Sequence, residues 1–225
     1  MAPPDPAYLA PTEFVDSDHP AVVAYAREHG VGESPRAIAV ALYYAIRDGF
    51  RYTPWNVEFE REAFRASDVL LRPRSKGAHC VDKANLLAAS ARVLGIPSRL
   101  HFADVRNHIG TEYLEQLLGT DLLVYHGYCD LWLEGRWVAA TPAFNLALCE
   151  HLDVAPLEFD GLSDSVFQEY DREGGRFMEY VSDHGHHLDV PYEAMIAAWK
   201  RHYPTIAATG RWPKPPRYLA RSTSG

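Results

Sequence analysis

From Cys80 onward, small and apolar residues recur at Ala84, Leu87, Ala88 and Ala91, spaced +4, +7, +8 and +11 from the cysteine, and Gly95 and Pro97 end the run. No other stretch constrains the fold as strongly, because it predicts a helix that carries a thiol in its first turn on the face turned inward. An earlier helix is signalled by Ser34-Pro35, followed by Ile38, Ala41, Leu42, Ala45 and Ile46 at helical spacing, with Gly49 as its stop. Behind the cysteine helix, Ser98 to Asp104 reads as a strand and Thr111 to Leu118 as a short helix closed by Gly119. The period then changes: Leu122 to Leu133 is a strand, Glu134-Gly135 a turn, and Arg136 to Thr141 the returning strand of a hairpin. A last helix opens near Pro191 and buries Met195, Ile196 and Trp199. Helices followed by antiparallel strands predict an α+β fold.

Nothing in the composition requires further support for such a core. Of 225 residues, 47% are apolar and 23% charged, which suits a domain that needs neither disulfides nor structural metal. With no repeat and no linker, one domain over residues 14 to 203 is expected. The proline-rich stretches at 1 to 13 and 204 to 225 flank it as straps or tails. A formal net charge of −8 without a basic run speaks against nucleic acid as a partner. No apolar stretch approaches the ~18 residues of a membrane span and no leader pattern opens the chain, so a cytoplasmic protein without a membrane partner is expected. The three cysteines, Cys80, Cys129 and Cys149, have no CxxC spacing and suggest neither a disulfide framework nor a zinc knuckle.

A thiol in the first turn of a helix meets unpaired backbone N–H groups and the positive end of the helix dipole, which favour thiolate and can receive an oxyanion. The plainer alternative is that Cys80 is a small core residue. His126 lies mid-strand, with Val124, Tyr128 and Trp132 on its face by alternation, where it is either a core histidine bonded to a carbonyl or a base for Cys80 within hydrogen-bond reach of the sulfur. A two-residue turn sets Leu133 opposite Arg136 and Tyr128 opposite Thr141, which puts Thr141 diagonal to His126 as an acceptor for its second nitrogen. Cys129 faces the other side of the strand and reads as core, and Cys149 carries no motif.

The run from Gly77-Ala-His-Cys80-Val-Asp-Lys-Ala-Asn to Gly95-Ile-Pro97-Ser-Arg99, together with His126-Gly-Tyr-Cys-Asp-Leu-Trp and Trp137-Val-Ala-Ala-Thr141-Pro142, resembles the transglutaminase-like superfamily over about residues 35 to 145. That resemblance implies a papain-like fold, its nucleophile helix packed on an antiparallel sheet, with Cys80 as nucleophile and His126 as base. Where the family carries Asp, this chain has Thr141, whose hydroxyl can fix the imidazole tautomer but cannot stabilise its charge. Asn145, Asp104 and Asp160 stay open as other partners of the ring.

Tyr52, Trp55 and Trp132, with Asn145, are candidates to line a substrate groove, although aromatic residues at such places commonly only pack. Asp183-His184-Gly185-His186-His187-Leu188-Asp189 has metal-ligand composition, but no complementary ligand pair accompanies it, so it reads as a solvated loop and no metal or cofactor is expected. The expected function is a thiol enzyme that forms an acyl-enzyme from a peptide, amide or acyl-thioester substrate and passes the acyl group to water or an amine. Two alternatives accompany it: a non-catalytic peptide- or protein-binding descendant of the fold, and a metal-dependent hydrolase built on His184, His186 and His187.

Overall fold

The computed structural model describes residues 4–108, 116–166 and 178–213. Three helices precede the cysteine helix: α1 (Pro20–His29), α2 (Pro35–Gly49) and α3 (Ala66–Leu71), and α4 (Cys80–Val93) follows them. The start of α2 is the one its sequence predicts, with the Ser34 hydroxyl accepting from Ala37 N at 3.2 Å and Pro35 in the first turn. Strands β1 (Ser98–Asn107), β2 (Leu122–Leu133), β3 (Arg136–Ala140) and β4 (Met178–His187) form an antiparallel sheet in the order β3-β2-β1-β4. Helices α5 (Leu146–His151), α6 (Tyr192–His202) and α7 (Pro204–Thr209) complete the described chain. The helix expected at Thr111–Leu118 falls largely outside the described residues, which show helix only at 116–118.

Helix α4 has no outward face. Helices α1, α2 and α3 pack on one side of it and strands β1 and β2 on the other, and every residue from Val81 to Arg92 is buried. The inward stripe read from the spacing is therefore only part of its buried surface. Its polar residues instead tie down loops, because a buried donor must find an acceptor. Asn85 Nδ2 donates to the carbonyls of Phe14 and Phe64, and the Arg92 guanidinium donates to those of Ala10, Ser98 and Leu188. Lys83, fully buried, donates to Arg47 O at 2.9 Å and Ala143 O at 2.7 Å, and burial pushes its ammonium down to about 7.

The hairpin turns on Glu134 (φ 49°) and Gly135 (φ 85°), the two left-handed residues that a type I′ turn requires. Leu133 accordingly pairs with Arg136, and the ladder runs on to Cys129 opposite Ala140, which sets Thr141 next to Tyr128 as the count predicts. Strand β2 departs from simple alternation further along. Ala103 pairs with His126 but Val105 with Leu123, so Asp104 alone faces Val124 and Tyr125 across a bulge. Tyr125 takes φ 58°, rare for an aromatic residue, and its N–H donates to Asp104 Oδ1 at 2.9 Å.

Two expectations are corrected here. Asp183 to His187 belongs to β4 rather than to a loop, since β1 supplies a ladder partner for it and two His–Asp pairs tie the two strands together. His184 Nε2 lies 2.7 Å from Asp104 Oδ1, and Asp183 Oδ1 lies 2.8 Å from His101 Nε2. Residues beyond 203 do not all behave as a tail: Ile206 of α7 is fully buried, and the Trp212 indole donates to Pro54 O at 2.8 Å. At the other end, Tyr8 packs edge-on against Trp137 at 5.2 Å.

Candidate active site

The cysteine helix begins where a buried polar triad pins it. His79 caps α4, with Nδ1 accepting from Val81 N at 3.2 Å and Nε2 3.2 Å from Asp82 Oδ1. The capping nitrogen must therefore be unprotonated, and burial lowers the pKa of His79 accordingly. Asp82 accepts in turn from His79 N at 3.0 Å and from the Arg72 guanidinium. His79-x-x-Asp82 is a variant of the Ser/Thr-x-x-Glu capping pattern, and the sequence hides it because histidine is an uncommon cap.

Gly127 brings the second element close. A Cβ at that position would lie 3.2 Å from Val81 Cα and Phe102 Cε1, tighter than most such contacts, so glycine lets β2 approach the first turn of α4 without displacing these neighbours. Cys80 and His126 consequently face one cavity of about 30 Å³, with Tyr52, Trp199, Tyr203 and Trp212 among its walls. Four consecutive residues, Leu123 to His126, also line it, which a regular strand could not do and the bulge allows. Nothing in the sequence announces the aromatic wall of Trp199, Tyr203 and Trp212, because helix periodicity marks Trp199 only as core and Trp212 lies in the stretch that reads as a tail.

Cys80 and His126 are both neutral at rest. Burial pushes the Cys80 thiol up to about 11, while the backbone N–H groups of Gly127 and Val81 facing the sulfur pull the other way. The helix start favours a thiolate, as expected from its N–H groups, but desolvation outweighs it. Burial likewise pushes His126 down to about 4, which leaves a neutral imidazole near pH 7. In the folded protein, iodoacetamide should therefore react at Cys80, the one partly exposed cysteine, with a rate that rises about tenfold per pH unit from about pH 7 to 10. Cys129 and Cys149, both fully buried, should be inert over that range, which site-resolved mass spectrometry checks.

Behind the imidazole lies a second cavity of about 10 Å³, bordered by His126, Thr141, Phe144 and Met178. His126 Nδ1 and Thr141 Oγ1 are both buried without a hydrogen-bond partner, so the direct bond between them expected from the register is not formed. The Thr141 backbone is nevertheless held, its N–H donating to Ser165 O at 2.9 Å and its carbonyl 3.1 Å from the Tyr43 hydroxyl. The other acceptors considered for the ring are occupied elsewhere. Asn145 Oδ1 accepts from Tyr52 N at 2.9 Å, Asp104 takes Tyr125 N and His184, and Asp160 accepts from Leu162 N and Ser163 N.

Of the groove candidates, Tyr52 lines the cavity and its hydroxyl lies beside the Cys80 sulfur, while Asn145 acts on the Tyr52 backbone. Trp55 packs at the edge of the core. Trp132 is not in the cleft: it pairs with Trp137 near the hairpin turn, six residues along β2 from His126 and so roughly 20 Å away. Among the described residues no group of three or more His, Cys, Asp or Glu side chains is arranged to hold a metal ion. Nor is any described helix long and apolar enough to cross a membrane.

A helix-start cysteine and a strand histidine on a four-stranded antiparallel sheet define an α+β protein of thiol-enzyme type. The Transglutaminase-like superfamily model matches residues 23–142, and the chain belongs to that superfamily. A search of curated proteins finds no match. Among solved structures, the chain is similar to a protein from Cytophaga hutchinsonii provisionally assigned as a cysteine protease. The TM-score is 0.43 and the identity 16%, over 80% of this chain and 53% of that one. The chain thus spans about half the length of that structure, and a likeness of this degree carries no information about activity.

Proposed function

We propose that this protein is a cysteine acyltransferase or hydrolase in which Cys80 attacks an amide, ester or thioester carbonyl and His126 carries the proton. The observation that supports it is the shared cavity: Cys80 and His126 come from different elements, 46 positions apart, yet line one cavity. His126, neutral at rest, takes the thiol proton as the Sγ–C bond forms and gives it to the leaving group as the acyl bond breaks. The backbone N–H groups facing the sulfur, those of Gly127 and Val81, are suited to receive the oxyanion, although Val81 N–H must be shared with the His79 cap. Water or an amine then takes the acyl group from Cys80.

A second reading, a non-catalytic peptide- or protein-binding descendant, draws support from the unpartnered His126 Nδ1, since a base without an orienting acceptor samples the wrong tautomer. Intact-mass measurement after exposure to an activated acyl donor separates the two. A single acyl adduct that disappears in Cys80→Ser supports the enzyme, whereas no adduct above the rate of free cysteine supports the binding module.

Thr141 is proposed as the residue that serves the ring from behind. In Thr141→Asp, a carboxylate at the cavity behind Nδ1 should raise the pKa of His126 from about 4 toward its unperturbed value and speed the acylation of Cys80. Histidine titration followed by NMR and acylation kinetics check the two effects separately.

A further inference from the structure

Several polar groups in the walls of the Cys80 cavity are already paired. Trp199 Nε1 donates to Val124 O at 2.7 Å, the Tyr203 hydroxyl accepts from Val124 N at 2.7 Å, and Trp212 Nε1 donates to Pro54 O at 2.8 Å. Both nitrogens of His79 are engaged with α4. Away from Cys80, His126 and the tyrosines Tyr52 and Tyr125, the lining is aromatic or aliphatic: the rings of Trp199 and Tyr203, at centroid distances of 4.9 and 5.6 Å from that of Trp212, with Val57, Leu118 and Leu123 beside them. No Asp, Glu, Lys or Arg lines this space among the described residues. The protein as a whole carries 52 such residues, 22 basic and 30 acidic, so their absence here is a property of the site.

Two consequences follow for anything placed on the sulfur. A charged tail carried into this cavity loses its hydration and meets no oppositely charged side chain among the described residues. A long chain meets the indole of Trp212, because the cavity of about 30 Å³ holds little more than two or three water-sized groups. We propose that the acyl group accepted by Cys80 is short, apolar and uncharged, of about two to four carbons, delivered as an ester or thioester whose leaving group stays outside. This rests on the reading of Cys80 as an acylated nucleophile. In the step, the Sγ–C bond forms, the bond from the carbonyl carbon to the leaving oxygen or sulfur breaks, and the thiol proton moves through His126 to that leaving atom.

The test is a series of p-nitrophenyl esters of acetate, butyrate, octanoate, succinate and trimethylglycine. Acylation of the full chain is followed by nitrophenol release and intact mass, each rate divided by that of the same ester with free cysteine. Acetyl and butyryl should exceed succinyl and trimethylglycyl by about 10²-fold or more, the scale of an unpaired buried charge. Octanoyl should be slow with the native chain and gain about tenfold in Trp212→Ala, where the blocking ring is gone. Succinyl or trimethylglycyl transfer as fast as acetyl overturns the proposed substrate class while leaving Cys80 as a nucleophile. Octanoyl transfer as fast as acetyl in the native chain overturns the size limit. Reaction of no ester above free cysteine overturns the enzyme reading itself, a separate outcome from either.

Discussion

Replacing His126 with Gln should lower the rate at which an activated acyl donor acylates Cys80 by about 10²–10⁴-fold near neutral pH, the range supplied by a positioned general base. The loss is large because the Cys80 thiol, pushed up to about 11 by burial, supplies almost no thiolate of its own at pH 7. The same variant carries a second, independent signature in stability. Burial holds the folded-state pKa of His126 at about 4, below the ~6.5 of an unfolded chain. Between those values the unfolded state binds the extra proton. The neutral ring therefore costs the fold nothing above about pH 6.5, and stability is lost as pH falls from there to about 4. Over that window the loss amounts to about 3 kcal/mol, since each pH unit between the two values contributes about 1.4 kcal/mol. Urea midpoints of the native chain should fall across that range and those of His126→Gln should fall less, while the two agree near pH 7. A variant that acylates at the native rate removes His126 from the mechanism. A variant with the native pH profile shows that the ring is not desolvated.

Asp82→Ala should cost about 3–5 kcal/mol, the penalty for stranding one partner of a buried ion pair. Its carboxylate is 2% exposed and receives the Arg72 guanidinium, His79 N and the His79 ring together. With it gone, Arg72 retains only Asp68, whose side chain is 35% exposed, and the cap of α4 loses its return bond. For a domain of this size the melting temperature should drop by about 10 °C. Asp82→Asn, which keeps an acceptor for His79 N, should lose less. Acylation of Cys80 should fall in the alanine variant even at temperatures where it is folded, because the first turn that presents the thiol is no longer held. A change in melting temperature below about 2 °C would show the triad to be ornamental.

The elements were legible because each rests on a local rule. Ser34-Pro35, Gly95 with Pro97, and Glu134-Gly135 act over a few residues, so α2, the end of α4 and the hairpin with its register follow from the chain directly. The same locality explains the failures. Asp183 to His187 is polar enough to pass for a loop, and it is a strand because β1, some eighty residues earlier, offers it a ladder. The tail expected beyond residue 203 could not reveal Trp212 on the cleft, since its partner is the carbonyl of Pro54.

By itself, then, the sequence determined the α+β class, the helix that starts at Cys80, the strand that carries His126 and the hairpin register that brings Thr141 alongside it. These depend on periodicity and turn geometry, which act between near neighbours. Only the tertiary structure decided the chemistry of the site. Gly127 lets α4 lie against β2, the Asp104 bulge turns Leu123 to His126 into one cavity, and the paired indoles of Trp199 and Trp212 make that cavity apolar. Desolvation then keeps thiol and imidazole neutral where the helix dipole alone would favour a thiolate. Burial is a sum over every element that packs on a group, and no span of neighbouring residues contains it.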